Sequence, residues 1–140
     1  MLPRRLILLL VLVVLAVAGY WLRFYAPISP EWRDYSGGAA YVVFWILVYA
    51  FLRPTAPAFP VALAVFLVTC CLEFLQLWHP AWLEAIRRTL PGRLVLGTTF
   101  EWSDFPPYAV GAVIGFVAMR LLTRSQNPFH RERSGASSPN

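Results

Sequence analysis

Four long apolar stretches constrain the fold of this chain more than any other feature. They lie at about 6–22, 37–52, 60–78 and 105–122, with arginine or proline flanking each. Each is close to the ~20 residues that a helix needs to cross a hydrocarbon core about 30 Å thick. Lipid offers the backbone no hydrogen-bond partners, so a spanning segment must be a helix or part of a closed barrel. These runs lack the alternation of barrel strands, and they predict an all-α membrane protein with four transmembrane helices.

The composition supports a membrane protein and argues against a nucleic-acid-binding one. Hydrophobic residues make up 59% of the chain and charged residues 14%, whereas a soluble domain is nearer half apolar and a quarter charged. All 12 basic residues are arginine, and the formal net charge is +5. In so apolar a chain this charge indicates the positive-inside rule. The lipid bilayer is therefore the expected partner, and nucleic acid is not expected.

The first stretch also resembles a secretory signal peptide. Arg4 and Arg5 precede a leucine-rich run that reaches Ala16-Val17-Ala18, an A-x-A cleavage pattern. Apolar character continues through 20–24, however, and its aromatic residues are typical of a membrane interface. We therefore expect an uncleaved first helix, with cleavage as the alternative.

The arginines also predict the orientation and the domain limits. With four spans both termini share one side, which collects seven arginines against five on the other, where five acidic residues dilute them. The chain is therefore expected to be a multi-pass protein of the bacterial inner membrane with both termini in the cytoplasm. Residues 1–124 are predicted to form one domain, and the polar segment 125–140 a disordered tail.

A glutamate inside the third stretch predicts a polar pocket. Gln76 follows Glu73 by three residues and Thr69 precedes it by four, so all three share one helix face. An ionisable group within a span usually faces the bundle interior and needs a partner. Segment 80–90, PAWLEAIRRTL, has helical periodicity and predicts a short amphipathic helix in the membrane interface. Arg87 lies at the border of its apolar stripe and is expected to pair with Glu73.

Three more charged residues complete the predicted pocket. Asp104 directly precedes the fourth stretch, either as a helix N-cap or as a second carboxylate at the depth of Glu73. Arg33 and Asp34 precede the second stretch, where capping and salt bridging are equally good interpretations. The candidate polar pocket therefore comprises Glu73, Gln76, Arg87, Asp104, Arg33 and Asp34.

Two glycines in the fourth stretch predict a helix contact. Gly111 and Gly115 form a G-x-x-x-G motif, which is typical of close packing between helices. Packing within the chain is the main interpretation, and homodimerisation is the alternative. The sequence shows no metal-ligand spacing and no cofactor motif, so we expect neither a metal nor a cofactor.

Several spaced motifs resemble a known bacterial family. They are RDYSGG at 33–38, EFLQ at 73–76 and PAWLEAIRRTLPGRLVLGTTFEWSDFPPYAVGAVIG at 80–115. Together they resemble the small multi-pass membrane proteins grouped as domain of unknown function 2809, although Gly38 stands where that family is expected to have an acidic residue. A more distant resemblance, through E-x-x-Q and an acidic residue before a glycine-rich last helix, is to VanZ-like proteins. The resemblance to family 2809 implies these signature positions: Arg33, Asp34, Glu73, Gln76, Arg87, Gly97, Trp102, Asp104 and Gly111.

The resemblance assigns no activity, so three functions compete. The first is a structural membrane component that modulates the envelope or a membrane-protein partner, in which the polar cluster ties an outer loop to the bundle. The second is a binder of a lipid or small amphiphile. The third is a membrane enzyme in which Glu73 and Asp104 act as acid and base on a lipid-linked substrate while Arg87 holds a phosphate. The sequence has no evident nucleophile or phosphate motif, which favours a role other than catalysis.

Overall fold

The part of the chain that the structure describes folds into six α-helices and one short 3₁₀ turn. A computed structural model describes residues 4–124, apart from the side chains at 4, 23, 123 and 124, and the predicted tail at 125–140 lies outside these residues. In chain order the elements are α1 (Arg4–Phe24), α2 (Pro30–Leu52), α3 (Ala58–Leu75), α4 (Ala81–Arg87), α5 (Leu90–Leu96), the 3₁₀ turn (Trp102–Asp104) and α6 (Phe105–Arg124).

Four of these helices confirm the predicted fold class. By length and composition α1, α2, α3 and the segment Trp102–Leu122 can each cross a membrane, with mean hydropathies between 1.5 and 2.5. The described residues contain no β-strand. Most large apolar side chains on the outer faces of these helices are exposed, as on Val14, Leu67 and Val113. Such faces are suited to lipid rather than to water.

The helices pack around one apolar core. α2 and α6 run in the same direction, since Gly111 lies beside Ala39 and Gly115 beside Ile46. Gly111 lies against the backbone carbonyl of Ala39, and a Cβ atom on Gly115 would come within 2.5 Å of Ile46 Cδ1. The two glycines therefore allow α2 and α6 to approach closely within the chain. The core comprises Leu8, Leu12, Val42, Val43, Ile46, Leu47, Ala50, Val61, Ala62, Tyr108 and Met119.

Two predicted helix boundaries differ from the observed ones. α2 begins at Pro30, not near 37, because proline is favoured in the first turn of a helix. Residues 33 and 34 therefore lie inside α2 rather than before it. α3 ends at Leu75 instead of 78, since its last turn tightens into bonds such as Gln76 N–H to the Glu73 carbonyl and Pro80 disfavours helix just before it.

The connection between α3 and α6 covers one end of the bundle, called here the capped end. The predicted interfacial helix at 80–90 is observed as α4, but it stops at Arg87, and Leu90 already belongs to α5. Thr89 separates the two helices because its hydroxyl accepts from the Gly92 N–H and caps α5. Gly92 lies against the Ile86 carbonyl, so α4 and α5 can meet only because this residue has no side chain.

Candidate functional site

Glu73 lies at the centre of a buried hydrogen-bonded cluster at the capped end. Its side chain is only 1% exposed. Oε2 accepts from Gln76 Nε2 at 2.9 Å and from the Tyr108 hydroxyl at 2.8 Å, and Oε1 accepts from the Glu101 backbone N–H at 3.0 Å. These four residues are called the Glu73 cluster. All three partners are neutral donors, so they satisfy the carboxylate without a counter-charge.

Three separate segments of the chain position this cluster. Glu73 and Gln76 come from the end of α3, Glu101 from the segment before the 3₁₀ turn, and Tyr108 from the first turn of α6. The chain can approach Gln76 because Gly97 has a positive φ of 67°. A Cβ atom there would lie 2.5 Å from Gln76 Nε2. Glycine is therefore required at 97 both by the backbone conformation and by the close contact.

Arg87 forms a second cluster, and the predicted ion pair between Arg87 and Glu73 is wrong. Arg87 is 3% exposed. Its Nη1 donates to the Trp78 carbonyl at 2.9 Å and to Glu84 Oε1 at 2.7 Å, and its Nη2 donates to the Leu75 carbonyl at 2.8 Å. In the described part of the chain its only carboxylate partner is Glu84. These residues are called the Arg87 cluster.

The early end of α3 explains why Arg87 bonds to backbone. The last carbonyls of a helix have no partner within it, and they form the negative end of the helix dipole. A guanidinium fork can donate to two carbonyls at once. Because α3 ends at Leu75, Arg87 donates to the Leu75 carbonyl at the end of the helix and to the Trp78 carbonyl in the turn that follows. Glu73 lies only about 3 Å below that end, and its acceptor positions are taken by other donors.

Glu84 links the Arg87 cluster to water. Its Oε1 also lies 2.9 Å from His79 Nδ1, and its side chain is 36% exposed. The hydrogen bond with His79, and to a smaller extent the one with Arg87, holds the pKa of the Glu84 carboxyl below its usual value. The Arg87 cluster therefore contains an ion pair, in contrast to the Glu73 cluster.

The remaining predicted pocket residues divide between these surroundings. Arg33 Nη2 donates to the Ala26 and Ile28 carbonyls at 3.2 and 3.4 Å, so it holds the 25–29 connection. Asp104 is the last residue of the 3₁₀ turn and directly precedes α6, so the capping interpretation stays a prediction. It lies beside the Tyr108 side chain and interacts electrostatically with Glu73 and Asp34. The structure thus gathers the acidic members of the predicted pocket and directs both arginines to backbone carbonyls.

A small cavity adjoins the Glu73 cluster. It has a volume of about 110 Å³ and lies among α2, α3, α5 and α6. Its polar wall is formed by Thr69, Glu73, Gln76, Tyr41 and Tyr108. Gln76 is 7% exposed, and its Oε1 atom has no hydrogen-bond partner among the residues that the structure describes. An unpaired buried carbonyl oxygen is costly unless water or a ligand bonds to it.

The two tyrosines and the backbone of Glu101 were not predicted from the sequence. Tyr41 donates from its hydroxyl to the Val95 carbonyl at 2.9 Å and thereby joins α2 to α5. Tyr108 lies in the first turn of α6 and Tyr41 midway along α2, each within an apolar run. A buried tyrosine hydroxyl usually has a hydrogen-bond partner, and this was the available signal. No pattern of side chains marks Glu101, because it contributes a backbone N–H.

The family comparison matches the part of the chain that contains both clusters. Residues 28–112 match the family described as "Protein of unknown function (DUF2809)", a segment that runs from just before α2 into α6. No solved structure matches the chain. The more distant VanZ-like resemblance stays a prediction. Because the matched segment is more than half of the 140 residues, the chain belongs to the DUF2809 family of proteins of unknown function.

Proposed function

We propose that the protein is a small structural component of the bacterial inner membrane that modulates the envelope without catalysing a reaction. The observation that supports this proposal is that donors from three separate chain segments surround the Glu73 carboxylate. A buried carboxylate whose two oxygens both accept hydrogen bonds from the protein fixes the positions of its donors. The Glu73 cluster would hold the 97–104 segment and α6 against α3, and the Arg87 cluster would hold α4.

The same geometry is less suited to catalysis by Glu73. A general base must reach the proton that it abstracts, whereas both Glu73 oxygens already accept hydrogen bonds from the protein. The 1% exposure of this side chain also leaves a substrate little access to it. A structural role therefore accounts better for the observed contacts than an acid–base pair of Glu73 and Asp104.

Hydrogen exchange of the full chain in lipid nanodiscs would test the structural role. In the Glu73→Gln variant the amide N–H groups of 97–104 should exchange at least tenfold faster than in the wild type, because one acceptor oxygen becomes a donor. Arg88→Gln, an exposed change directly after α4, is the matched control and should leave the segment protected. Unchanged protection of 97–104 in Glu73→Gln would contradict the proposal.

A cellular assay would test modulation of the envelope. Deleting the gene should change the uptake of an apolar dye, and the wild type should restore it while Glu73→Gln should not. If the wild type and Glu73→Gln restored dye uptake equally, the function in cells would not depend on the Glu73 cluster.

The proposed orientation places both termini in the cytoplasm and the capped end outside. Its support is the excess of arginines on the side of the termini. A reporter that is active only in the cytoplasm should therefore work when fused to the C-terminus and fail when inserted between α3 and α6. The reverse pattern would overturn the orientation.

A second candidate function is the binding of a lipid or small amphiphile. The cavity beside Gln76 favours it, because the unpaired Oε1 atom is an acceptor that a ligand could satisfy. The alternative of homodimerisation through Gly111 and Gly115 is less favoured, because α2 already occupies that face of α6. A dimer or another membrane-protein partner would need a different helix face.

A further inference from the structure

The polar side-chain atoms around the cavity next to the Glu73 cluster are mostly acceptors, with the second N–H of the Gln76 amide as the exception. Gln76 also supplies an acceptor without a partner. Its Nε2 donates to Glu73 Oε2, and the reversed amide would place two acceptor oxygens against each other. The carboxylate therefore fixes the amide, and the unpaired Oε1 is the free group on a side chain that lines the cavity.

The three hydroxyl groups in the wall have already used their protons. Thr69 donates to the Val65 carbonyl at 2.8 Å, Tyr41 to the Val95 carbonyl at 2.9 Å, and Tyr108 to Glu73 at 2.8 Å. A hydroxyl has one proton to donate and two lone pairs to accept with. Each of these groups can therefore offer a ligand only an acceptor.

The wall of the cavity contains one acidic side chain, Glu73, and no arginine. The neutral donors around Glu73 satisfy its hydrogen bonds but supply no counter-charge. Arg87 pairs with Glu84 and the end of α3, and Arg33 with the 25–29 connection. A charge within a membrane-spanning bundle normally has a partner. A ligand that completes this site should therefore be a cation that donates hydrogen bonds.

We propose that the cavity binds a primary ammonium group, carried either by an ethanolamine lipid headgroup or by a soluble amine. This inference rests on the second candidate function. A primary ammonium supplies both the charge and three N–H donors. The volume of about 110 Å³ would hold a group of a few heavy atoms, since one water takes about 30 Å³ of liquid. The site lies near the end of α3, at the level where lipid headgroups meet the hydrocarbon core.

Competition between two lipids tests the headgroup preference. The full chain in detergent would receive equal amounts of an ethanolamine lipid and a choline lipid with identical acyl chains, and native mass spectrometry would count the bound lipids. The choline headgroup is cationic but has no N–H donor. We expect about tenfold more ethanolamine lipid bound than choline lipid, as hydrogen bonds to a charged group would give.

Two variants locate the preference in the cavity. Gln76→Leu removes the unpaired oxygen, but it also removes a donor to Glu73 and can impair folding. Thr69→Val keeps the shape of the side chain and removes only a hydroxyl, so it should lower the preference a few-fold in a folded protein. Thr55→Val, at the opposite end of the bundle, is the matched control and should keep the full preference.

The outcomes separate this inference from the function on which it rests. Equal binding of both lipids overturns the ammonium site but leaves lipid binding intact. Binding of neither lipid overturns lipid binding, and it overturns the ammonium site too if the soluble amine also fails to bind. A preference for choline also overturns the inference and indicates cation–π binding to the tyrosines. A preference that survives in Thr69→Val and in folded Gln76→Leu overturns the assignment to this cavity.

A soluble arm identifies the source of the ammonium group. Ethanolamine hydrochloride and tetramethylammonium chloride would be added separately at equal ionic strength, and the unfolding temperature would be measured. The ligand is a soluble amine if three results agree: ethanolamine but not tetramethylammonium stabilises the wild type, ethanolamine stabilises Thr69→Val less, and the ethanolamine lipid is not preferred over the choline lipid. If neither the soluble amine nor the ethanolamine lipid is preferred, the inference fails.

Discussion

The two polar clusters at the capped end satisfy opposite charges in opposite ways. Glu73, the anion, accepts from neutral donors that lie up to 35 residues away in sequence. Arg87, the cation, donates to a carboxylate three residues away, to the Leu75 carbonyl that ends α3 and to the Trp78 carbonyl after it. Both side chains are almost fully buried. An anion and a cation on adjoining elements therefore need not pair with each other, because neutral donors hold Glu73 while Glu84 and backbone carbonyls hold Arg87.

The difference follows from the groups that each element leaves unpaired. The end of a helix exposes carbonyls, which attract a cation. Glu73 lies just inside that end, where its own carboxylate is close to the negative end of the helix dipole, which is unfavourable. Donors from the 3₁₀ turn region and from α6 compensate for this position. The Glu73 cluster therefore depends on long-range folding, whereas the Arg87 cluster depends mainly on the local α3–α4 connection.

The largest effect should come from removing the Glu73 carboxylate. Glu73→Leu leaves three donors without an acceptor, two of which, on Gln76 and Tyr108, are buried. Each stranded buried group costs about 1–3 kcal/mol. We expect a loss of about 4 kcal/mol in the free energy of unfolding, measured by titration with a denaturing detergent. Glu73→Gln should lose less because its amide keeps one acceptor oxygen. A loss below about 1 kcal/mol for Glu73→Leu would show that water replaces the carboxylate.

Removing the Arg87 guanidinium should have the next largest effect. Arg87→Leu strands the Leu75 and Trp78 carbonyls but leaves Glu84 in contact with water, so we expect a loss of about 3 kcal/mol in the same titration. Arg87→Lys should lie between this variant and the wild type, since a single ammonium lacks the planar fork. Arg88→Leu is the exposed neighbour and should change the stability by less than about 0.5 kcal/mol. Similar losses at 87 and 88 would contradict the account.

A single neutral donor should matter less than either charge. Tyr108→Phe removes one hydrogen bond to Glu73 while the carboxylate keeps two others. We expect a loss of about 1 kcal/mol in the unfolding free energy. A loss as large as that of Glu73→Leu would mean that Tyr108 holds most of the Glu73 cluster by itself.

The pH dependence of the Arg87 cluster should be the smallest of these effects. The Glu84 pKa is lowered in the folded protein by His79 and Arg87. The contribution of Glu84 to the free energy of unfolding is therefore complete at a pH above its pKa in the unfolded chain. This contribution is lost as the pH falls through the lower pKa of Glu84 in the folded protein. The stability difference between wild type and Glu84→Gln should therefore shrink below about pH 4.3. A difference that grows on acidification would contradict the lowered pKa.

The sequence predicts the fold better than the contacts within the site. Apolar runs of membrane-spanning length predict four helices, because burial in lipid acts on every residue of a span. The amphipathic pattern at 80–90 predicts α4 and the inward position of Arg87. The pattern does not predict the partners of Arg87, because they depend on where α3 ends. The helix ends at Leu75 instead of 78, and Arg87 therefore bonds to backbone carbonyls instead of to Glu73. Glu101 enters through a backbone N–H, which no side-chain pattern encodes.

The most direct test of the separation of the two clusters is a double-mutant cycle between Glu73 and Arg87. The unfolding free energies of wild type, Glu73→Gln, Arg87→Leu and the double variant would be measured under identical detergent conditions. Residues without a direct contact or shared partner should add. We predict that the double variant loses the sum of the single losses to within about 0.5 kcal/mol. Recovery of more than about 1 kcal/mol in the double variant would show that Glu73 and Arg87 form an ion pair and would contradict two separate clusters.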